Sequence, residues 1–209
     1  MPLRAQGTSA TPEEVELVSA IRDGDERAFT TAVEEHYGSM LAVAKAFVLS
    51  ADMARQVLHD AWTAALGELD RFDGRTPLRP WLLRFVARLA APLAAGPDHG
   101  TADAPAAAVE PGRFRGSGGA FPGHWRAYPR DWRTLPDEVR RGEGARRVVE
   151  AAVAALPVEQ RAIITVRDIV GCDPHEACHV LELPEIVARR RLHQARCRVR
   201  AALERHFDA

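Results

Sequence analysis

Lysine is all but missing: Lys45 stands alone against 27 arginines in 209 residues. That scarcity excludes a Walker-type phosphate loop, whose lysine must follow a glycine-rich turn, because Lys45 follows none. Cysteine is nearly as rare. Cys172, Cys178 and Cys197 are odd in number and imply no disulfide framework, so the chain reads as a reduced, cytoplasmic protein. Long apolar runs are absent as well. The longest, such as Ala151 to Leu156, fall far short of the roughly 20 residues a membrane helix needs, so no membrane insertion is expected. Met1 to Gly7 has no apolar stretch of the secretory kind. No nucleophilic triad can be assembled, and Gly116-Ser117-Gly118-Gly119 neither follows a strand nor opens a helix, so it is no phosphate cradle.

What is present is globular in character, 46% hydrophobic and 27% charged. The net charge of −1 hides an asymmetry. Thr11 to His36 carries eight acidic and two basic residues, whereas Ile186 to His206 carries seven arginines against Glu204 alone. A positive C-terminal helix points to a polyanion. Arginine richness by itself carries little weight, since 37 alanines beside it indicate a GC-rich genome.

Punctuation divides the chain into helical blocks. Thr11-Pro12-Glu13-Glu14 is a capping box with proline at the first helical position, so a helix runs from Pro12 until Asp23-Gly24 stops it. Glu26 to about Leu49 spaces Phe29, Val33, Tyr37, Met40, Leu41, Ala44 and Val48 by threes and fours, predicting a helix with one buried face. Ser50 or Asp52 caps a third, with Met53, Val57, Ala61, Ala64, Leu66 and Leu69 inside. Thr76-Pro77 opens a fourth carrying Trp81, Leu82, Phe85 and Leu89, which Pro92 ends. Gly96 to Pro136 then holds seven glycines and six prolines without a sustained period and reads as a linker. Phe114, Phe121, Trp125, Tyr128 and Trp132 lie within it, more aromatic surface than a solvated tether needs, so part of it should dock.

Helical period resumes near Glu143 and breaks at Pro157; Val158 to Val170 forms the next helix, closed by Gly171. Asp173 caps a short helix from Pro174 to Glu182, Leu183-Pro184-Glu185 makes a corner, and Ile186 to His206 runs on as a basic helix. Short helix, tight corner and basic helix are the parts of a helix-turn-helix. Ala188, Leu192, Ala195, Val199 and Leu203 share its core face, which leaves Arg189, Arg190, His193 and Arg196 to Arg200 largely at the surface. A basic helix is often only a solvated face, but arginines one turn into the second helix of this motif reach base edges and phosphates, so DNA binding is the better reading.

His175-Glu176-Ala177-Cys178-His179 matches the H-E-x-x-H pattern of zinc hydrolases. Its context is wrong, since no third ligand follows at the expected spacing, the helix is short and no strand supplies a substrate-binding edge. No metal, cofactor or catalytic residue is therefore assigned. Zinc hydrolysis remains the rival from another class.

Several stretches carry a resemblance to the extracytoplasmic-function (ECF) sigma factors, the sigma-70-type initiation subunits of bacterial RNA polymerase. Leu156-Pro157-Val158-Glu159-Gln160-Arg161-Ala162, Arg167-Asp168-Ile169-Val170-Gly171 and Leu192-His193-Gln194-Ala195-Arg196 are similar to the second sigma domain. Ala54 to Trp62 resembles the helix that grips the polymerase clamp, and Leu69-Asp70-Arg71-Phe72-Asp73 with Arg79-Pro80-Trp81-Leu82-Leu83-Arg84 resembles the lead into the promoter-melting helix. Gly123-His124-Trp125 and Trp132 resemble an actinobacterial-type subgroup with a long aromatic linker.

The resemblance implies an all-α protein of two small helical domains. A sigma region 2-like domain covers residues 10–95, a Gly/Pro-rich linker 96–140, and a sigma region 4-like helix-turn-helix domain 141–207. It implies binding to core RNA polymerase through Val57, Leu58, Asp60 and Trp62. Promoter DNA would be met at the minus-ten region by Arg79, Trp81, Arg84 and Arg88, and at the upstream element by Glu185, Arg189, Arg190, Arg191, His193 and Arg196. An anti-sigma regulator is a further partner that it allows; catalysis and cofactors it does not call for. One departure weakens the melting helix: Ala87-Arg88 replaces the usual Arg-Asn, and Pro92 to Gly96 replaces the usual basic extension. A degenerate sigma-like regulator that binds polymerase or DNA without initiating is therefore the nearer alternative.

Overall fold

The computed structural model describes residues 9–94 and 142–208, together with Arg115, Pro136 and Asp137. The linker aromatics lie outside the described residues. Among those described, the chain forms eight α-helices and no strand. In order they are α1 (Pro12–Arg22), α2 (Glu26–Phe47), α3 (Ala51–Gly67), α4 (Leu78–Ala90), α5 (Glu143–Ala154), α6 (Val158–Ile164), α7 (Pro174–Leu181) and α8 (Glu185–Asp208). Short 3₁₀ turns at Leu69–Arg71 and Ala91–Ala94 follow α3 and α4, and α6 runs on into a π-helical turn, Thr165–Ile169.

The helix starts obey local chemistry. Thr11 accepts from the Glu14 amide while Glu14 Oε2 accepts from the Thr11 amide at 2.8 Å, closing the capping box of α1. Asp25 caps α2 and Ser50 caps α3. α4 begins one residue later than Thr76-Pro77 suggests and has no side-chain cap of its own. Its first amide, Leu78 N, is instead satisfied by Glu14 Oε1 at 3.0 Å, so one carboxylate caps two helices 64 positions apart. Arg22 performs a similar service at the other end of α1, its guanidinium donating to the carbonyls of Leu69 and Phe72 at 2.7 and 2.8 Å.

Described residues within Met1–His99 and Ala162–Ala188 form one compact unit, and those within Gly100–Arg161 and Arg189–Ala209 form the other. In the first, α4 is the central element, packed against α2, α3 and α7. Most of its apolar residues are buried, Pro80 to Leu83 and Phe85 to Ala87 in succession, the pattern of a helix enclosed on several sides. The core includes Met40, Val43, Val57, Leu83 and Val86, all fully enclosed. Small residues Ala44, Ala54 and Ala61 bring the helices close. In the second unit, Gln160 donates to Gln194 at 3.2 Å, and Arg161 donates to the carbonyls of Ala154 and Leu156 at 2.9 and 3.2 Å, holding the start of α6 to the end of α5.

Periodicity misassigned several residues. Tyr37, Met53, Leu66 and Leu89, all expected inside, are each 37–43% exposed, and His36 occupies the buried position next to Tyr37. The burial arc on α2 is rotated by about one residue because α4 and the π-helical turn both press on it.

Candidate nucleic-acid interface

The corner between α7 and α8 is built from two local devices. Asp173 and Glu176 form a second capping box with Pro174 at its start, and α7 ends on Glu182 in the left-handed conformation, φ 50°. The Leu183 amide then donates to Cys178 O at 3.0 Å, turning the chain into α8.

Along α8, Ala188, Leu192, Ala195 and Val199 are buried, as the period of the sequence implies. Glu185, Arg189, His193, Arg196 and Arg200, stepping by four, four, three and four, form an adjacent exposed stripe. Arg200, absent from the expected contacts, extends this stripe by a turn and donates to Glu204 at 3.2 Å. Its spacing from Arg196 could have revealed it. Arg190 is exposed beside the stripe. Arg191 is different: half-buried, with an enclosed Nε that has no hydrogen-bond partner, so it is poorly placed for a phosphate. The stripe offers guanidinium groups, rigidly spaced on a helix, to an anionic partner.

On α4, Trp81, Arg84 and Arg88 lie along one face at spacings of three and four. Trp81 is only 7% exposed and contacts Phe72 and Phe85 edge to face, with ring centres 5.4 and 4.8 Å away. It is a core side chain here. Arg79 is half-buried and donates to Val170 O at 3.4 Å, and Arg84 is half-buried with its Nε unpartnered. Only Arg88 is exposed, its guanidinium 6.0 Å from the Phe85 ring centre.

The polymerase-binding residues expected on α3 divide sharply. Val57 and Leu58 are 2% and 3% exposed and belong to the core, Val57 where the helical period places it. Asp60 is exposed and accepts from Gln56 at 2.9 Å. Trp62 is half-buried edge-on against Phe29, ring centres 5.5 Å apart. The solvent-exposed side of α3 is mostly polar, with Asp52, Arg55, Gln56, His59, Asp60 and Thr63, and also carries the exposed Met53 and Leu66.

Within the His175-Glu176-x-x-His179 motif of α7, the glutamate has a structural role. Glu176 is buried and spends its carboxylate on the Asp173 amide at 2.8 Å, the cap that starts the helix. Among the described residues no group of three His, Cys, Asp or Glu side chains is placed to hold a metal ion. Likewise no helix among them is long and apolar enough to cross a membrane.

No protein-family model matches the chain. Curated relatives do. The chain is 25% identical over 180 residues to the ECF RNA polymerase sigma-E factor of Escherichia coli K12, covering 86% of this chain and 88% of that protein. It is 23% identical over 192 residues to the RNA polymerase sigma-H factor of Pseudomonas aeruginosa, covering 92% and 94%. Among solved structures, CnrH in complex with the cytosolic domain of CnrY matches with a TM-score of 0.59 and 24% identity, over 92% of this chain and 97% of that one, a likeness of fold.

Proposed function

We propose that this homologue of the ECF sigma factors is itself an alternative sigma factor, directing core RNA polymerase to a subset of promoters. The observation that carries the reading is the extent of the similarity to sigma-E, 180 residues that cover 86% of this chain and 88% of that protein. Each half contributes a surface suited to its task. The mostly polar solvent face of α3, centred on Asp60, meets the polymerase, and the Arg189–Arg200 stripe of α8 lies on upstream promoter DNA, Arg189 and Arg190 reading bases and Arg196 holding phosphate. The division at residues 10–95, 96–140 and 141–207 and the kinship with actinobacterial-type factors of long aromatic linker belong to the same reading. So do a cytoplasmic setting and an anti-sigma partner, in a chain whose fold matches CnrH as solved with the cytosolic domain of CnrY. Catalysis rests with the polymerase.

Reconstitution with core polymerase tests it. The wild-type chain should co-elute one to one and start transcripts at discrete sites on genomic DNA, and Asp60→Arg should abolish co-elution with helicity intact. Wild-type protein that fails to co-elute would overturn the reading. Co-elution without any transcript would instead favour the degenerate regulator, which the uncharged end of α4 at Ala91–Ala94 keeps in view.

A further inference from the structure

Residues 162–188 are packed onto the α1–α4 body within one compact unit, and the seam they make is chemically unsettled. α7 lies against α4, and the π-helical turn before it lies against α2. Groups that carry or can acquire positive charge collect there. Arg79 reaches across to Val170 O, near the buried His36 of α2, and Arg84 faces His179 of α7. His36 Nε2, Arg84 Nε and His179 Nε2 are each enclosed without a hydrogen-bond partner. Three enclosed nitrogens thus have no protein partner, which is uncommon in a settled core.

We propose that this seam is a proton-operated latch: neutral His36 and His179 let α7 and its preceding turn rest on α4 and α2, and a proton on either imidazole, beside Arg79 or Arg84, releases them. Burial and the neighbouring cations hold both imidazoles below their usual 6.5; for His179 burial leads, followed by Arg84 and by His175 on its own helix. The acidic groups facing them are few. Glu14 of α1 and Glu35 of α2 oppose the effect at His36, and Glu182 opposes it at His179. Glu176 is engaged in its cap, and burial pushes the Cys172 thiol up to about 11, so it adds no negative charge beside Arg79.

The sign follows from linkage. The released state binds more protons than the latched one, so latching is at full strength above 6.5 and is lost as pH falls below it. The latch meets α4 at Arg84, on the same face as Trp81 and Arg88. Release therefore uncovers the surface assigned to the minus-ten region, a consequence that rests on the sigma-factor reading.

Amide hydrogen exchange on the full chain, with neither polymerase nor DNA, tests the latch independently of that reading. Protection factors of α7 should fall between about pH 7 and about pH 5.5, by up to about tenfold per pH unit for each histidine that titrates, while α3 stays protected. His36→Gln with His179→Gln should remove the pH dependence, and His179→Arg should release α7 already at neutral pH. Proton NMR of the wild-type imidazoles gives a readout that needs no variant: both should titrate below 6.5. Imidazoles titrating at or above that value, or wild-type α7 protection flat with pH, would overturn the proposal.

Discussion

Leu58 and Asp60 are two positions apart on α3 and belong to different worlds, one enclosed, the other in solvent. They sit close together in sequence, and only the packing of α2 and α4 separates the enclosed side chain from the exposed one. Leu58→Ala should lower stability by about 2–5 kcal/mol in urea unfolding, the cost of a cavity in a close-packed core. Asp60→Arg should change it by less than about 0.5 kcal/mol while abolishing polymerase co-elution. Arg189 and Arg196 make a second contrast. Arg189→Ala should cost about 1–3 kcal/mol on the preferred upstream element and relax base preference at one position, whereas Arg196→Ala should weaken binding evenly across sequences, as measured by binding to a set of single-base variants. His36 was illegible beforehand. A histidine one step off an apolar stripe reads as solvated, and its burial follows from a long-range contact with no local signature.

Helix boundaries were readable because capping is local. Thr11, Asp25, Ser50 and Asp173 all start helices where their side chains can reach the next turn's amides. The start of α4 was read less well because its cap comes from Glu14, and the break of α6 into a π-helical turn left no mark in the periodicity of Val158 to Val170. Arg22 is likewise invisible in sequence, being one arginine among 27. With its guanidinium bonded to the carbonyls of Leu69 and Phe72, Arg22→Ala should cost about 1.5–3 kcal/mol in urea unfolding. Arg22→Lys should recover only part of it, since an ammonium lacks the fork that spans both oxygens.

At the scale of the molecule, the all-α class and the helix-turn-helix were legible from periodicity and punctuation. The packing of residues 162–188 with the first four helices was not, because helix faces announce that they are buried without naming their partner. On the sigma-factor reading proposed above, opening a promoter would unstack base steps at a few kcal/mol each, and the turn Ala91–Ala94 that follows α4 holds no basic group to capture a freed strand. Transcription should accordingly fall steeply on relaxed linear templates and recover on a template carrying a pre-opened bubble, compared by run-off assay at one promoter. Glu14 carries a last consequence, one of timing. A nascent chain leaves the ribosome from its N-terminus, so α1 can close its own capping box long before residue 78 exists. The second oxygen of Glu14 then waits for a partner 64 residues behind it, and the first turn of α4 stays short of an acceptor until it returns to α1. α1, made before α4, is thus also the template on which that central helix is finished, and the two should fold and fray as a single cooperative block.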